Sequence, residues 1–204
     1  MLNVGILVFD EVEALDFAGP YEVFTTAVRM HARLHPGQPA PFAVRCIARG
    51  LAPVRARAGL RVLPDADFES APPSDLLIVP GGVVDGALAC PATIAWIAQA
   101  AARAATVASV CTGAFLLAQA GLLGSSGPVT THWEDLDDLR SAFPALQVQG
   151  GPRWVPHDAA GRLWTSAGIS AGLDLSLHLV ARLTGQALAE RTARQMDYAW
   201  RPTP

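Results

Sequence analysis

Lysine is missing altogether: all fifteen cationic side chains are arginines. That removes a phosphate-loop lysine, a Schiff-base lysine and a lysine general base in one step. Charge of either sign is sparse, at 16% of residues, and the net charge is −3. The arginines are dispersed apart from Arg55, Arg57 and Arg61, so there is no basic face for nucleic acid. Cysteine is scarce too. Cys46, Cys90 and Cys111 are odd in number and far apart, which excludes a disulfide framework and a zinc spacing. No run approaches the ~18 consecutive apolar residues of a membrane span; the most apolar stretch, 168–183, is broken by Ser170, Asp174, Ser176, His178 and Arg182. The opening residues carry no basic segment before their apolar run and acquire acids at once, so no signal peptide is read and a cytoplasmic protein is expected.

What is present is core. At 51% hydrophobic over 204 residues, disorder is excluded, and a chain of this size buries roughly 70% of its unfolded surface without staples. Short β-type runs alternate with helical segments. Residues 3–9 (NVGILVF), Phe42–Ala48, 76–80 (LLIVP) and 106–110 read as buried strands, dense in Val, Ile and Leu. Short strands are expected near 147–149 and 163–165, and a small hairpin near 53–57 and 60–63. Pro20 suits the first position of a helix running to about Leu34. Further helices are expected over Pro91–Arg103, 112–123, 133–143, about 169–183 and about 187–198. No linker divides the chain, so residues 1–204 read as one α/β domain. Its mainly parallel sheet would be covered on both faces, with the functional crevice at the carboxyl ends of the strands.

Four features could carry chemistry. In TVASVCTGAFLLAQAGLL (106–123) a buried strand ends at Cys111 and a helix starts within two residues. Such a turn presents the side chain beside the free N–H groups of a helix start, which lower a thiol pKa from ~8.5 towards neutrality or below. Those N–H groups, with those of Gly82 and Val83 after the 76–80 strand, could stabilise negative charge on a reacting atom. The competing reading of Cys111 is a small buried hydrophobe, and position alone leaves both open. Cys46 reads as core and Cys90 as an incidental thiol. Asp16, between Leu15 and Phe17, is either a proton donor with a raised pKa or a helix-capping acid. His132 in TTHW stands beside small polar residues. His31 and His35 share i, i+4 spacing without an evident third metal ligand, and His178 reads as core. GISAG (168–172) fits G-x-S-x-G, yet the only histidine beyond Ser170 is His178 on the same helix, so a serine triad is not formed. Gly168 and its neighbours are read instead as letting that turn, with Ser170, approach the Cys111 pocket.

Taken together, ILVFDEVEALDFAGPYEVF, LLIVPGG, SVCTGAFLLAQAGLL, TTHW and TSAGISAGLDLSLHLV, in this order, resemble the ThiJ/PfpI superfamily, the class I glutamine-amidotransferase-like proteins. The resemblance runs from about Asn3 to Leu183. It is greatest to isocyanide hydratases and to the sensor domains of AraC-type regulators, the closing QMDYAWRP favouring the former. It implies a flavodoxin-like sandwich, a homodimer, Cys111 in a nucleophile elbow, and Asp16 hydrogen-bonded to it. Thr112 replaces the histidine that follows the cysteine in peptidase-like members. Asp16 stands where glyoxalase and deglycase members usually have glutamate. The chain stops at Pro204, before the helix-turn-helix units of the regulators. The implied activity is hydration of an isocyanide to an N-substituted formamide: Cys111 attacks the terminal carbon, Asp16 protonates the developing imidate, and Thr112 orients the acid or the water. No metal or organic cofactor is implied, and the partner is a small-molecule substrate. The alternatives are a stand-alone ligand or oxidative-stress sensor, in which Cys111 binds a metabolite or is oxidised, and a glyoxalase or deglycase.

Overall fold

The computed structural model describes residues 1–203. Seven strands form one sheet: β1 (Leu2–Leu7), β2 (Phe42–Ala48), β3 (Ala66–Asp67), β4 (Leu76–Val79), β5 (Thr106–Ser109), β6 (Trp154–Pro156) and β7 (Leu163–Ser166). Their order across the sheet is β6-β7-β5-β4-β1-β2-β3. All neighbours are parallel except β6 and β7. The helices are α1 (Ala14–Leu34), α2 (Asp85–Leu88), α3 (Pro91–Arg103), α4 (Gly113–Gln119), α5 (Leu136–Ala142), α6 (Ala171–Thr184) and α7 (Gln186–Gln195). Two small ribbons complete the structure: Val54–Arg55 with Arg61–Val62, antiparallel, and Pro128–Val129 with Gln147–Val148, parallel.

The pleat of the strands divides the core in two. Val4, Ile6, Leu76 and Ile78 point to the face covered by α1, α6 and α7, where they meet Phe24, Met30, Leu175 and Leu179. Leu7, Leu77 and Val79 point to the opposite face, against Ile97, Leu116 and Leu117. Strands buried on both sides need apolar residues at every position, and each such side chain contributes about 1.5–3 kcal/mol. This is the sandwich anticipated from the alternation of strands and helices.

One local expectation needs correction, and three elements were not expected. The first helix starts at Ala14, six residues before Pro20. Glu13 caps it, its carboxylate accepting the Ala14 N–H at 3.2 Å, and Pro20 sits within the helix with its ring buried. Asp16 therefore lies in the first helical turn. The segments 83–89 and 149–157, which carry no helix or strand pattern in sequence, contain α2 and the antiparallel strand β6. The short edge strand β3 was also missed.

The chain order places the site. From β1 the sheet grows outwards through β2 and β3, and then the chain returns to β4 on the other side of β1. The segments leaving β1 and β4 part company at this switch point and open a crevice beyond the carboxyl ends of the strands. Asp16 comes from the β1 side, Gly81 and Gly82 from β4, and Cys111 from β5, one strand further on.

Candidate active site

Cys111 occupies the turn between β5 and α4 with φ +57°, a left-handed conformation that is costly for a residue with a Cβ. The surroundings over-determine it. Its N–H donates to the Ala167 carbonyl at 3.3 Å, and its carbonyl accepts from the Thr131 hydroxyl at 2.9 Å. The next turn of chain is pressed against the end of β4: a Cβ at Gly113 would overlap the Val79 carbonyl and approach the Pro80 oxygen to 2.9 Å. Only glycine fits there, and the tightness of this elbow brings the sulfur to the sheet rim.

Asp16 is fully buried. Its Oδ2 accepts the Gly81 N–H at 3.0 Å, whereas Oδ1 is buried without a conventional hydrogen-bond partner. No hydrogen bond joins this carboxyl to the Cys111 thiol, but the two groups are close enough to affect one another's titration. Burial raises its pKa from 3.8 to about 7; the Gly81 N–H opposes that rise, the Glu13 charge adds to it, and the nearby Cys111 thiol and Arg57 oppose it. Protonated and ionised forms thus coexist near neutral pH.

The thiol does not follow the expectation of a lowered pKa. Burial pushes Cys111 up to about 12, and the Asp16 charge pushes in the same direction. The nearby N–H groups of Thr112 and Ile169 act against this, and the Asp135 charge adds to it. Two backbone donors do not offset the loss of water and a neighbouring carboxylate. The resting state is a neutral thiol beside an acid that can accept its proton.

The sulfur lines a cavity of about 570 Å³ that also touches Glu13, Arg57, Gly82, Val83, Phe115, His132, Asp135 and Ile169. His132 opens the turn Trp133–Asp135, with Nδ1 3.2 Å from Asp135 Oδ2. Glu13 Oε2 holds Arg57 Nη1 at 3.1 Å. This constellation lies at the switch point and contains a strained cysteine, a buried acid and two N–H donors.

The DJ-1/PfpI family pattern matches residues 3–182. The chain belongs to the DJ-1/PfpI family. It is 35% identical over 204 residues to the isonitrile hydratase of Pseudomonas putida, covering 100% of this chain and 80% of that protein. It is 30% identical over 181 residues to the HTH-type transcriptional regulator CdhR of Pseudomonas aeruginosa, spanning 89% of this chain but only half of the regulator. Among solved structures, a ThiJ/PfpI family protein from Pseudomonas syringae superimposes with a TM-score of 0.81 at 32% identity, covering 98% of this chain and 76% of that one. Drosophila melanogaster DJ-1beta superimposes at 0.79 with 16% identity, covering 98% and 99%, a likeness of fold.

Within this DJ-1/PfpI chain, several residues singled out from the sequence take other roles. Gly82 and Val83 line the cavity, but their N–H groups are already committed, to Thr112 Oγ1 at 2.9 Å and to the Glu11 carbonyl at 3.0 Å. The N–H groups that favour an ionised sulfur are those of Thr112 and Ile169 instead. The Thr112 hydroxyl also donates to the Gly82 carbonyl at 2.9 Å. It is spent on tying the Gly81-Gly82 turn to the elbow, so it has no proton left with which to orient an acid or a water. Gly168 and Ser170 border a neighbouring cavity of about 420 Å³, not the one above Cys111. The Ser170 hydroxyl accepts from Arg153 Nη2 at 3.3 Å. Gly168 makes room for the His132 ring, which any Cβ there would overlap.

Ile169, between those two residues, lines the Cys111 cavity, and it does so at φ +49°. Sequence reasoning passed over it because a β-branched residue is the last expected at positive φ. It also passed over Glu13, Arg57 and Asp135. The i, i+3 spacing of His132 and Asp135 was the available signal for the last of these.

Proposed function

We propose that this chain is a cofactor-independent cysteine enzyme that hydrates an isocyanide to an N-substituted formamide. The observation that carries the reading is a fully buried Asp16 placed near enough to Cys111 for its charge to raise the thiol pKa, with a pKa of its own, about 7, that suits both taking and giving a proton. The likeness to an isonitrile hydratase along the full chain supports it.

In the proposed reaction the Asp16 carboxylate takes the thiol proton as sulfur bonds to the terminal isocyanide carbon. Asp16 then gives that proton to the same carbon, so the net result is S–H addition and a thioimidate, R–N=CH–S–Cys111. Water adds across the C=N bond, its hydroxyl going to carbon and its proton to nitrogen. The tetrahedral adduct collapses to R–NH–CHO with departure of the sulfur, which regains its proton. Covalent catalysis divides one hard hydration into two easier steps. The Thr112 and Ile169 N–H groups stabilise charge on the sulfur as it attacks and leaves. Gly82 and Val83 shape the wall, and the His132 ring lies within the same cavity.

The test is turnover by purified wild type and Cys111→Ala against an aryl isocyanide, methylglyoxal and an amide. The proposal expects formamide from wild type only, and it fails if Cys111→Ala is as active. One observation favours a second reading, ligand or oxidant sensing: the match to a transcriptional regulator over 89% of the chain. Wild type inert to every substrate but modified by peroxide at Cys111, with altered ligand affinity, would support it. Conversion of methylglyoxal to lactate would support a glyoxalase.

A further inference from the structure

The cavity above Cys111 is lopsided in charge. Glu13, Asp85, Glu134, Asp135 and Asp138 contribute five carboxylates to its lining against one guanidinium, Arg57. That guanidinium is held by Glu13 at 3.1 Å, and His132 presents Nδ1 to Asp135 at 3.2 Å. No cation in the lining is therefore left to receive a carboxylate or phosphate. Among the described residues the carboxylates are not gathered into a group that could hold a metal ion, so they act as a field and not as a chelate. Between them the walls are hydrocarbon, from Val84, Leu88 and Phe115.

A second observation lies beneath the floor. Asp16 is 0% exposed, its Oδ1 has no hydrogen-bond partner, and its charge acts on the Cys111 thiol. Asp16 does not itself line the cavity, but it is near enough to Cys111 to act on the thiol, so whenever it is ionised its charge adds to that of the lining carboxylates against an anionic substituent. The field of Asp135 already reaches the sulfur.

We propose that the Cys111 cavity selects substrates with an apolar body and a basic, positively charged substituent, and rejects those bearing a carboxylate or phosphate. This deepens the proposed function and rests on it insofar as the substrate reacts at Cys111. In terms of that reaction, the preferred isocyanides are those carrying an ammonium group on the organic substituent. The terminal carbon goes to the sulfur and the ammonium to the rim formed by Glu134 and Asp138, both well exposed.

The experiment uses three methanethiosulfonates whose ethyl arms end in trimethylammonium, hydroxyl or sulfonate. Each transfers its arm to the cysteine as a mixed disulfide and releases methanesulfinate, so the reaction needs no isocyanide chemistry. Rates at Cys111 are followed by peptide mass spectrometry in a Cys90→Ser background and divided by the rates with free 2-mercaptoethanol. At low salt the cationic reagent is expected to be about tenfold faster than the anionic one, with the ratio shrinking as salt is added. Glu134→Gln combined with Asp138→Asn should reduce the ratio. Equal normalised rates, a faster anionic reagent, or no modification of Cys111 by the cationic reagent would overturn the proposal. Turnover of a neutral isocyanide, measured in parallel, separates the two readings. Charge selection without turnover leaves the cavity inference standing and removes the hydratase; turnover without charge selection does the reverse.

Discussion

Replacing Asp16 with asparagine separates what the carboxyl does for the fold from what it does for the thiol. The side chain is fully buried, with one oxygen on the Gly81 N–H and the other unpartnered. Because burial raises its folded-state pKa from 3.8 to about 7, the folded chain keeps a proton that the unfolded chain releases near pH 4. The stability attached to this group is complete below pH 4, falls as pH rises from 4 to 7, and is flat above. A displacement of this size corresponds to about 4 kcal/mol. Asparagine keeps the shape, and its amide oxygen can accept from Gly81, but it does not titrate. Whatever fixed cost the amide brings, the stability of Asp16→Asn relative to wild type should climb by about 4 kcal/mol between pH 4 and 7, a change of roughly 8–16 °C in relative Tm. Over the same range the variant should have lost isocyanide turnover by about 10²-fold or more. Urea and thermal denaturation of both proteins from pH 4 to 9 make the comparison. Parallel stability profiles would refute the raised pKa, and undiminished turnover would refute the role of the carboxyl as proton carrier.

Substitutions at four further positions probe how the structure is held. Thr112→Val removes both hydroxyl bonds to Gly82 and should cost about 1–3 kcal/mol by thermal denaturation, whereas Thr112→Ser should retain most of the stability. Gly113→Ala drives a methyl group into the rigid backbone at the end of β4 and should cost about 3 kcal/mol or more. Gly86→Ala, which meets nothing within 4 Å, should be neutral or slightly stabilising in the same denaturation. Arg153→Ala strands Asp174, which is fully buried and bonded to Arg153 Nε at 2.5 Å. The loss should be about 3–5 kcal/mol in urea, and an unchanged midpoint would contradict the pairing.

Much of the site is legible in the sequence because its chemistry is local. A run of small and β-branched residues delivers Cys111 straight into a Thr-Gly turn, and that pattern admits one geometry, a strand feeding an elbow. Asp16 stands out because an acid between Leu15 and Phe17 has to be either satisfied or protonated. Less visible are the quantities set by chain segments that meet only in three dimensions. The direction of the Cys111 pKa depends on burial and on Asp16, not on the helix start that adjoins it in sequence. Whether Gly82 and Val83 have free N–H groups depends on Thr112 and Glu11, which arrive from elsewhere. Arg57 reaches Glu13 across 44 residues, and nothing around it announces that. Pro20 misled for a different reason: proline is so well suited to the first turn that its place inside α1, made possible by the Glu13 cap upstream, goes against a sound preference.

Cysteine attack is the claim on which the account rests, and it can be observed directly. Wild-type protein quenched in acid during turnover of an aryl isocyanide should carry one added isocyanide mass on the peptide containing Cys111, lost as substrate is exhausted and absent from Cys111→Ala, which should form no formamide. An unmodified Cys111 together with undiminished formamide production by Cys111→Ala would contradict it.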